Sequence, residues 1–346
     1  MKNIKRDIRA LTKEDLINFF IKNSEKAFKG KQVYEWLWKK GAHSFDQMTN
    51  LSIDSRDLLK KSFDINHIEV DTVQKSSDGT LKNAIRLHDG LIVESVLIPS
   101  TNRTTACVSS QVGCSLDCKF CATSKLKRMR NLNPDEIYDQ VVAIDNQSRL
   151  YYNKKLTNIV FMGMGEPLMN YNNVLLAIDK ITSKEGLAMS PKRIVLSTSG
   201  IPKMIKKMAE DGVKFNLAVS LHSAIDEIRT KIMPFNDNFP LSQLREALIF
   251  WYSKTKRRIT YEYVVWQGVN DSINDILALI EFCKFAPSKV NLIEYNPIGD
   301  GLFKQAKPQI IDKYVSMLEK NNIVVTVRRS RGKDIDAACG QLANKK

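Results

Sequence analysis

The chain has 346 residues, 43 % of them hydrophobic, enough to bury the core of one large domain and a small one. Its 53 Lys and Arg against 38 Asp and Glu leave a net charge of +15, which suits a polyanionic partner and equally a generally basic soluble protein. No run reaches the ~18 apolar residues of a membrane span. The opening Met1-Lys2-Asn3-Ile4-Lys5-Arg6 leads into no signal-peptide core, so the six cysteines read as cytoplasmic thiols for metal or catalysis, not as a disulfide framework.

Residues 1–90 read as a small N-terminal helical unit with a linking hairpin. Thr12, with Asp15 three residues on, predicts a helix start, and Leu16, Phe19 and Phe20 form its apolar side. The run Gln32-Val33-Tyr34-Glu35-Trp36-Leu37-Trp38-Lys39-Lys40 can pack a helical core or stack on bases, and packing is favoured. Asp89-Gly90 between apolar runs at 79–87 and 91–98 predicts a β-hairpin. From about residue 100, strand candidates at 105–108, 158–162, 193–197, 215–221, 259–265, 290–293 and 323–327 alternate with amphipathic stretches. Asn133, Pro134 and Glu136 mark the start of one of these helices. Such repetition predicts parallel strands with crossover helices. Polar motifs at the carboxyl ends of successive strands favour a barrel over a flat doubly wound sheet.

After the first of these strands comes Gln111-Val112-Gly113-Cys114-Ser115-Leu116-Asp117-Cys118-Lys119-Phe120-Cys121-Ala122-Thr123. Cys114, Cys118 and Cys121 are three soft ligands in eight residues. A closed zinc site or a ferredoxin cluster needs four protein ligands. An iron–sulfur cubane held by three leaves one iron open to a substrate. The spacing and the aromatic before the third cysteine resemble the radical S-adenosylmethionine (SAM) signature. The alternative is a zinc site with a fourth ligand from elsewhere, such as Cys107. One unit later, Phe161-Met162-Gly163-Met164-Gly165-Glu166-Pro167 joins close-approach glycines to a carboxylate able to hold an ammonium group. Ser197, Ser220, Leu221, His222 and Asn296 stand where later strands end. Together with Gly165, Glu166 and Pro167, they are the expected SAM-binding residues. Cys283 reads as a core thiol. His43, His67 and His88 receive no role. Cys339, followed by Gly340 in a small-residue segment, reads as a nucleophile.

The ordered set Gln-Val-Gly-Cys, Gly-Met-Gly-Glu-Pro, Ser-Thr-Ser-Gly, Ser-Leu-His, Tyr-Asn-Pro and Asp-Ile-Asp-Ala-Ala-Cys-Gly-Gln-Leu resembles the RlmN/Cfr family of adenine RNA methyltransferases over essentially the whole chain. The resemblance implies an α/β fold: a partial (βα)6 TIM-like radical-SAM barrel over 91–346, its C-terminal segment carrying the catalytic Cys339, with the small helical domain in front. It implies a [4Fe-4S] cluster on Cys114, Cys118 and Cys121, and two SAM molecules per turnover. It also implies a methylated Cys339, and Cys107 releasing the product through a transient disulfide. Either Glu94 or Cys107 takes the proton lost from adenine. The implied substrates are 23S rRNA and tRNA, and the implied electron donor is a flavodoxin or ferredoxin. A monomer is expected. Pro167 favours methylation at C2 over the C8 chemistry of Cfr-like members. The reading from another class is a non-catalytic zinc-dependent RNA-binding protein.

Overall fold

The computed structural model describes residues 5–344; the opening 1–4 and the final 345–346 lie outside it. Three helices form the N-terminal unit. Helix α1 (Lys13–Lys22) opens with a reciprocal capping box between Thr12 and Asp15. Helix α2 (Phe28–Trp38) crosses it at Gly30, where a Cβ would lie 2.5 Å from the backbone nitrogen of Ile17. Helix α3 (Ile53–Ser62) starts at Ser52, whose hydroxyl accepts the Ser55 N–H. Tyr34, Leu37 and Trp38 are buried, so the aromatic run packs a core. Trp36 is only partly covered and carries Lys40 at 4.0 Å over its ring. His43 packs against His67, and His88 meets Glu136 at 3.2 Å.

A ten-stranded sheet holds the rest of the described chain, its strands lying side by side in chain order. Strands β1 (Glu69–Lys75), β2 (Leu81–Arg86) and β3 (Ile92–Pro99) form an antiparallel meander. The predicted hairpin is β2–β3. It straddles residue 90, and both its strands belong to the main sheet. Strand β3 pairs antiparallel with β4 (Thr104–Cys107). From β4 onward every neighbour is parallel: β5 (Asn158–Phe161), β6 (Ile194–Thr198), β7 (Asn216–Ser220), β8 (Ile259–Val264), β9 (Ser288–Ile293) and β10 (Val324–Arg328). These are the seven strands expected from sequence, each within a residue or two at its ends.

A helix covers each crossover: α4 (Pro134–Tyr152), α5 (Tyr171–Thr182), α6 (Pro202–Glu210), α7 (Asp226–Ile232), α8 (Leu241–Thr255), α9 (Ile273–Cys283) and α10 (Pro308–Lys320). Parallel strands in unbroken order with a helix at each crossover wind as a TIM barrel does. Here β1 and β10 remain edges, so the barrel is partial and open. Strand β8 is buried at all six positions, as expected for a strand covered on both faces.

Two fastenings complete the frame. Arg9 grips Asp139 of α4 with two bonds of 2.6 and 2.8 Å, and lies 4.6 Å over the Trp38 ring, which meets Tyr138 edge-on. This docks the helical unit on the barrel. At the other side, the Ser76 hydroxyl and Ser77 N–H donate to Asp334, and the Gly332 N–H donates to Asp78. The β1–β2 turn is thereby tied to the segment after β10.

Candidate active site

The carboxyl ends of β5 to β9 surround a cavity of about 160 Å³. Its first wall is the loop after β4. Gln111–Val112 pairs antiparallel with Arg130–Asn131 and closes that loop at its base. The Ser124 hydroxyl donates to the carbonyls of Cys118 and Cys121, at 2.5 and 2.7 Å, and sets the loop's curvature. Cys114, Cys118 and Cys121 all line the cavity. Burial pushes the Cys114 thiol up to about 11 and raises Cys118 and Cys121 as well. Three thiols in such a place ionise only when a cation is supplied to them, as metal binding does. Phe120 stands edge-on to His222 at 4.7 Å and packs on Trp266 at 5.1 Å, which puts apolar bulk beside the thiols.

Among the described residues, no three His, Cys, Asp or Glu side chains converge closely enough to grip a single metal ion. The three thiols share the wall of the first cavity, and three soft sulfur donors suit an iron–sulfur cluster. Cys107, the fourth ligand of the zinc alternative, lines a second cavity instead. The donor set therefore fits a cluster with three protein ligands and one open metal position.

The next wall is the glycine turn after β5. Gly165 sits at φ +92°, and a Cβ there would come within 2.4 Å of Gln111 Cβ, so only glycine lets this turn lie against the cysteine loop. Glu166 follows, buried in the cavity wall. Its Oε1 accepts the Leu168 N–H at 3.0 Å and its Oε2 the Ser199 N–H at 2.8 Å. Burial raises its carboxyl pKa, and these N–H donors counter the shift. Pro167, Ser197 and Ser220 also line the cavity.

His222 lines it too and is buried, with burial and then the Arg229 charge pushing its pKa down to about 3. Its Nδ1 accepts the Val264 N–H at 3.2 Å, which assigns the proton of the neutral ring to Nε2. Asn296 lines the cavity with its Oδ1 buried and unpartnered, an acceptor suited to a polar ligand group. Leu221, also expected at the SAM site, differs from these neighbours. Its side chain is fully buried in the core outside the cavity lining, and its N–H is spent on the Glu262 carbonyl.

The C-terminal segment closes the site. The Asn296 Nδ2 donates to the Cys339 carbonyl at 3.2 Å, the Ala122 N–H to the Gly340 carbonyl at 2.7 Å, and the Thr123 hydroxyl to the Leu342 carbonyl at 2.7 Å. Cys339 is the exposed cysteine among the six and lines both cavities. The second cavity, of about 70 Å³, adds Cys107 and Arg328 to its walls. Burial, and then the neighbouring Cys339, raise the Cys107 thiol pKa. All six cysteines are free, so the disulfide expected between Cys107 and Cys339 finds no support. The two thiols sit on separate elements, β4 and the C-terminal segment. Glu94 lines neither cavity and is almost fully buried beneath residues 343 and 344.

Three further residues shape the site without having been singled out in the sequence. Arg229, fully buried, donates to the carbonyls of Leu221 and Ser199, at 3.1 and 2.6 Å, and to Asn236 Oδ1 at 2.5 Å, clamping the ends of β6 and β7. Glu262 on β8 lines the first cavity and meets Arg328 at 3.3 Å and Asn291 at 2.9 Å. A lone carboxylate in the apolar run Ile259–Val264 was the available signal. Arg328 sits in an equally apolar strand.

Two family models match the chain: the ribosomal RNA large subunit methyltransferase N-terminal domain over residues 6–65, and the radical SAM superfamily over residues 108–283. A "Probable dual-specificity RNA methyltransferase RlmN" of Christiangramia forsetii is 70% identical over 345 residues, covering 100% of this chain and 98% of the relative. A protein of the same description from Flavobacterium psychrophilum is 70% identical over 341 residues, covering 99% and 98%. The crystal structure of a radical SAM methyltransferase from Sphaerobacter thermophilus superposes with a TM-score of 0.92 at 35% identity, covering 98% of this chain and 100% of that one.

Proposed function

The chain belongs to the RlmN family of radical SAM RNA methyltransferases, and on that premise we propose that it methylates C2 of adenosine in 23S rRNA and in tRNA, by way of a methyl group carried on Cys339. The observation that carries this reading is the place of Cys339: an accessible thiol in the same cavity as the three cluster cysteines, on a segment bonded to their loop at Ala122 and held by Asn296 through the Cys339 carbonyl.

Cys114, Cys118 and Cys121 would hold the [4Fe-4S] cluster, with Glu166 taking the amino group of SAM, the hydroxyls of Ser197 and Ser220 available to its carboxylate, and Asn296 Oδ1 available to a ribose hydroxyl. Bound there, the cluster and SAM together supply a one-electron cleavage of the sulfonium and a carbon radical able to abstract hydrogen. The Cys339 thiol would lose its proton and take the methyl of one SAM molecule, with S-adenosylhomocysteine leaving, and would then present that methyl as a thioether to the radical a second SAM supplies. This division of labour has a reason in the substrate. C2 of adenine is electron-poor and does not attack a sulfonium, whereas a carbon radical adds to it. Phe120, Trp266 and the neutral His222 exclude water from the region where such a radical must survive. Loss of the C2 proton requires an acceptor. Cys107 already lines the cavity with Cys339, while Glu94 becomes available only when residues 343 and 344 lift away. The proposal also gives Cys107 the release step: its thiolate would attack the Cys339 sulfur, the Cys339 sulfur–carbon bond would break as the sulfur–sulfur bond forms, and the freed carbon would take a proton to become the methyl group.

The excess of positive charge supports RNA as partner, and an unstacked adenosine is the form able to enter a closed pocket. A flavodoxin or ferredoxin is the expected electron donor, and the protein is expected to work as a cytoplasmic monomer. Among the described residues no helix is long and apolar enough to cross a membrane. The deciding experiment is anaerobic incubation with SAM, a reductant and an rRNA fragment, followed by digestion and mass spectrometry against 2-methyl- and 8-methyladenosine standards. 2-Methyladenosine is expected. 8-Methyladenosine, or no methylated adenosine from iron-loaded protein, refutes the proposal.

A further inference from the structure

Strands β2 and β3 bury two opposite charges against each other. Lys82 pairs in register with Val96, two residues from Glu94, so Lys82 and Glu94 are diagonal neighbours on one face of the hairpin. Lys82 is 4% and Glu94 1% exposed, and the ammonium lies 3.3 Å from Glu94 Oε1. The other oxygen, Oε2, accepts the N–H of Ala343 at 2.7 Å and the N–H of Asn344 at 3.0 Å. The Asn344 side chain adds a bond of 2.8 Å to the Ile92 carbonyl on the same strand. Both carboxylate oxygens are therefore engaged, one by the cation and one by the backbone of the segment that carries Cys339.

A buried ion pair is expensive to keep and is a poor way to gain stability alone. Its geometry here does something else: Lys82 fixes the Glu94 carboxylate in the single position from which it caps two successive backbone donors. We propose that Lys82 is a positioning residue, acting through Glu94 to latch residues 340–344 across the site and so to hold the Cys339 sulfur in place. The inference rests on the reading of Cys339 as methyl carrier. The latch also explains why Glu94 is sealed from both cavities: its charge is spent on holding a strap.

The test uses the full-length, cluster-loaded protein without SAM or RNA. Amide hydrogen exchange is followed in peptides covering 338–344 and, as reference, α4. The rate at which iodoacetamide alkylates Cys339 is followed by mass spectrometry. Lys82→Met is expected to speed exchange in 338–344 and alkylation of Cys339 about tenfold, leaving α4 unchanged. The double variant Lys82→Met/Glu94→Gln keeps an amide oxygen for the two N–H groups without an unpaired charge, and is expected to recover most of the protection. A residue of merely structural importance gives no such local loss and rescue. Deleting residues 343–346 removes the same contacts from the other side, leaves the Lys82–Glu94 pair intact, and is expected to loosen 338–342 likewise; it replaces Lys82→Met should that variant not fold. Unchanged exchange and alkylation in either variant would overturn the latch. If both respond but SAM never methylates Cys339 in the parent protein, the latch stands and the methyl-carrier reading falls.

Discussion

At the scale of single residues, the six cysteines divide by environment. Cys118→Ala leaves two thiolates for a cluster that needs three, so the purified protein is expected to lose nearly all its iron and its visible absorbance; full iron content in that variant would refute the assignment. Cys339→Ala and Cys107→Ala should fail differently. Without Cys339 no methyl group is carried and RNA stays untouched. Without Cys107 the carbon–carbon bond forms but the product is not freed, leaving a ribonuclease-sensitive protein–RNA adduct on a denaturing gel; the double variant should give no adduct. The cluster and glycine motifs were legible in the sequence because their chemistry is local: a few neighbouring side chains and one turn at Gly165. Lys82, Arg229, Glu262 and Arg328 were not. Each is a charge whose partner lies on another strand or segment, and only the tertiary fold brings them together. Leu221 is a different case: its side chain belongs to the core, which leaves only its backbone for a ligand.

At the scale of elements, the alternation of apolar runs and capped helices was enough to locate all seven parallel strands, because strands covered by helices read as short apolar blocks. The antiparallel extension was legible as a hairpin but not as part of the main sheet, since pairing of β3 with β4 leaves no local mark. Docking of the N-terminal unit on α4 was equally silent, and it carries a pH dependence. Burial, only partly offset by Arg9, pushes Asp135 in the first turn of α4 up to about 7, with Asp7, Asp139 and Glu136 adding to the rise. An acid whose folded pKa lies above its unfolded value holds its proton more tightly when folded. Stability from this site is therefore present below about pH 4 and is lost as the pH rises through about 7. Asp135→Asn is expected to stabilise the protein by roughly 1–3 kcal/mol near pH 8 and by little near pH 4 in denaturant titrations. Equal effects at both pH values would remove Asp135 as the source. Arg9→Ala, which strands Asp139, is expected to cost about 3–5 kcal/mol in the same measurement.

At the scale of the whole molecule, the sheet dictates where the chain can be cut. Removing residues 1–65 takes away the three helices and leaves β1 to β10 whole, so cluster loading should survive while RNA affinity and the slope of its salt dependence both fall. An unchanged slope would take the helical unit out of the recognition surface. Removing residues 1–90 also deletes β1 and β2, and with them Lys82, and should give insoluble protein. The bonds from Ser76 and Ser77 to Asp334 span sequence separations of 258 and 257. Contacts that distant cost the most loop-closure entropy, and we expect them to form after the local pairings. Until then the wall bearing Cys339 is missing and the cysteine loop lies open on one side. Such an order of assembly would leave a window for inserting iron and sulfide before the site closes. We expect Asp334→Ala to load its cluster faster than the parent protein during refolding, and to lose it faster to a chelator afterwards.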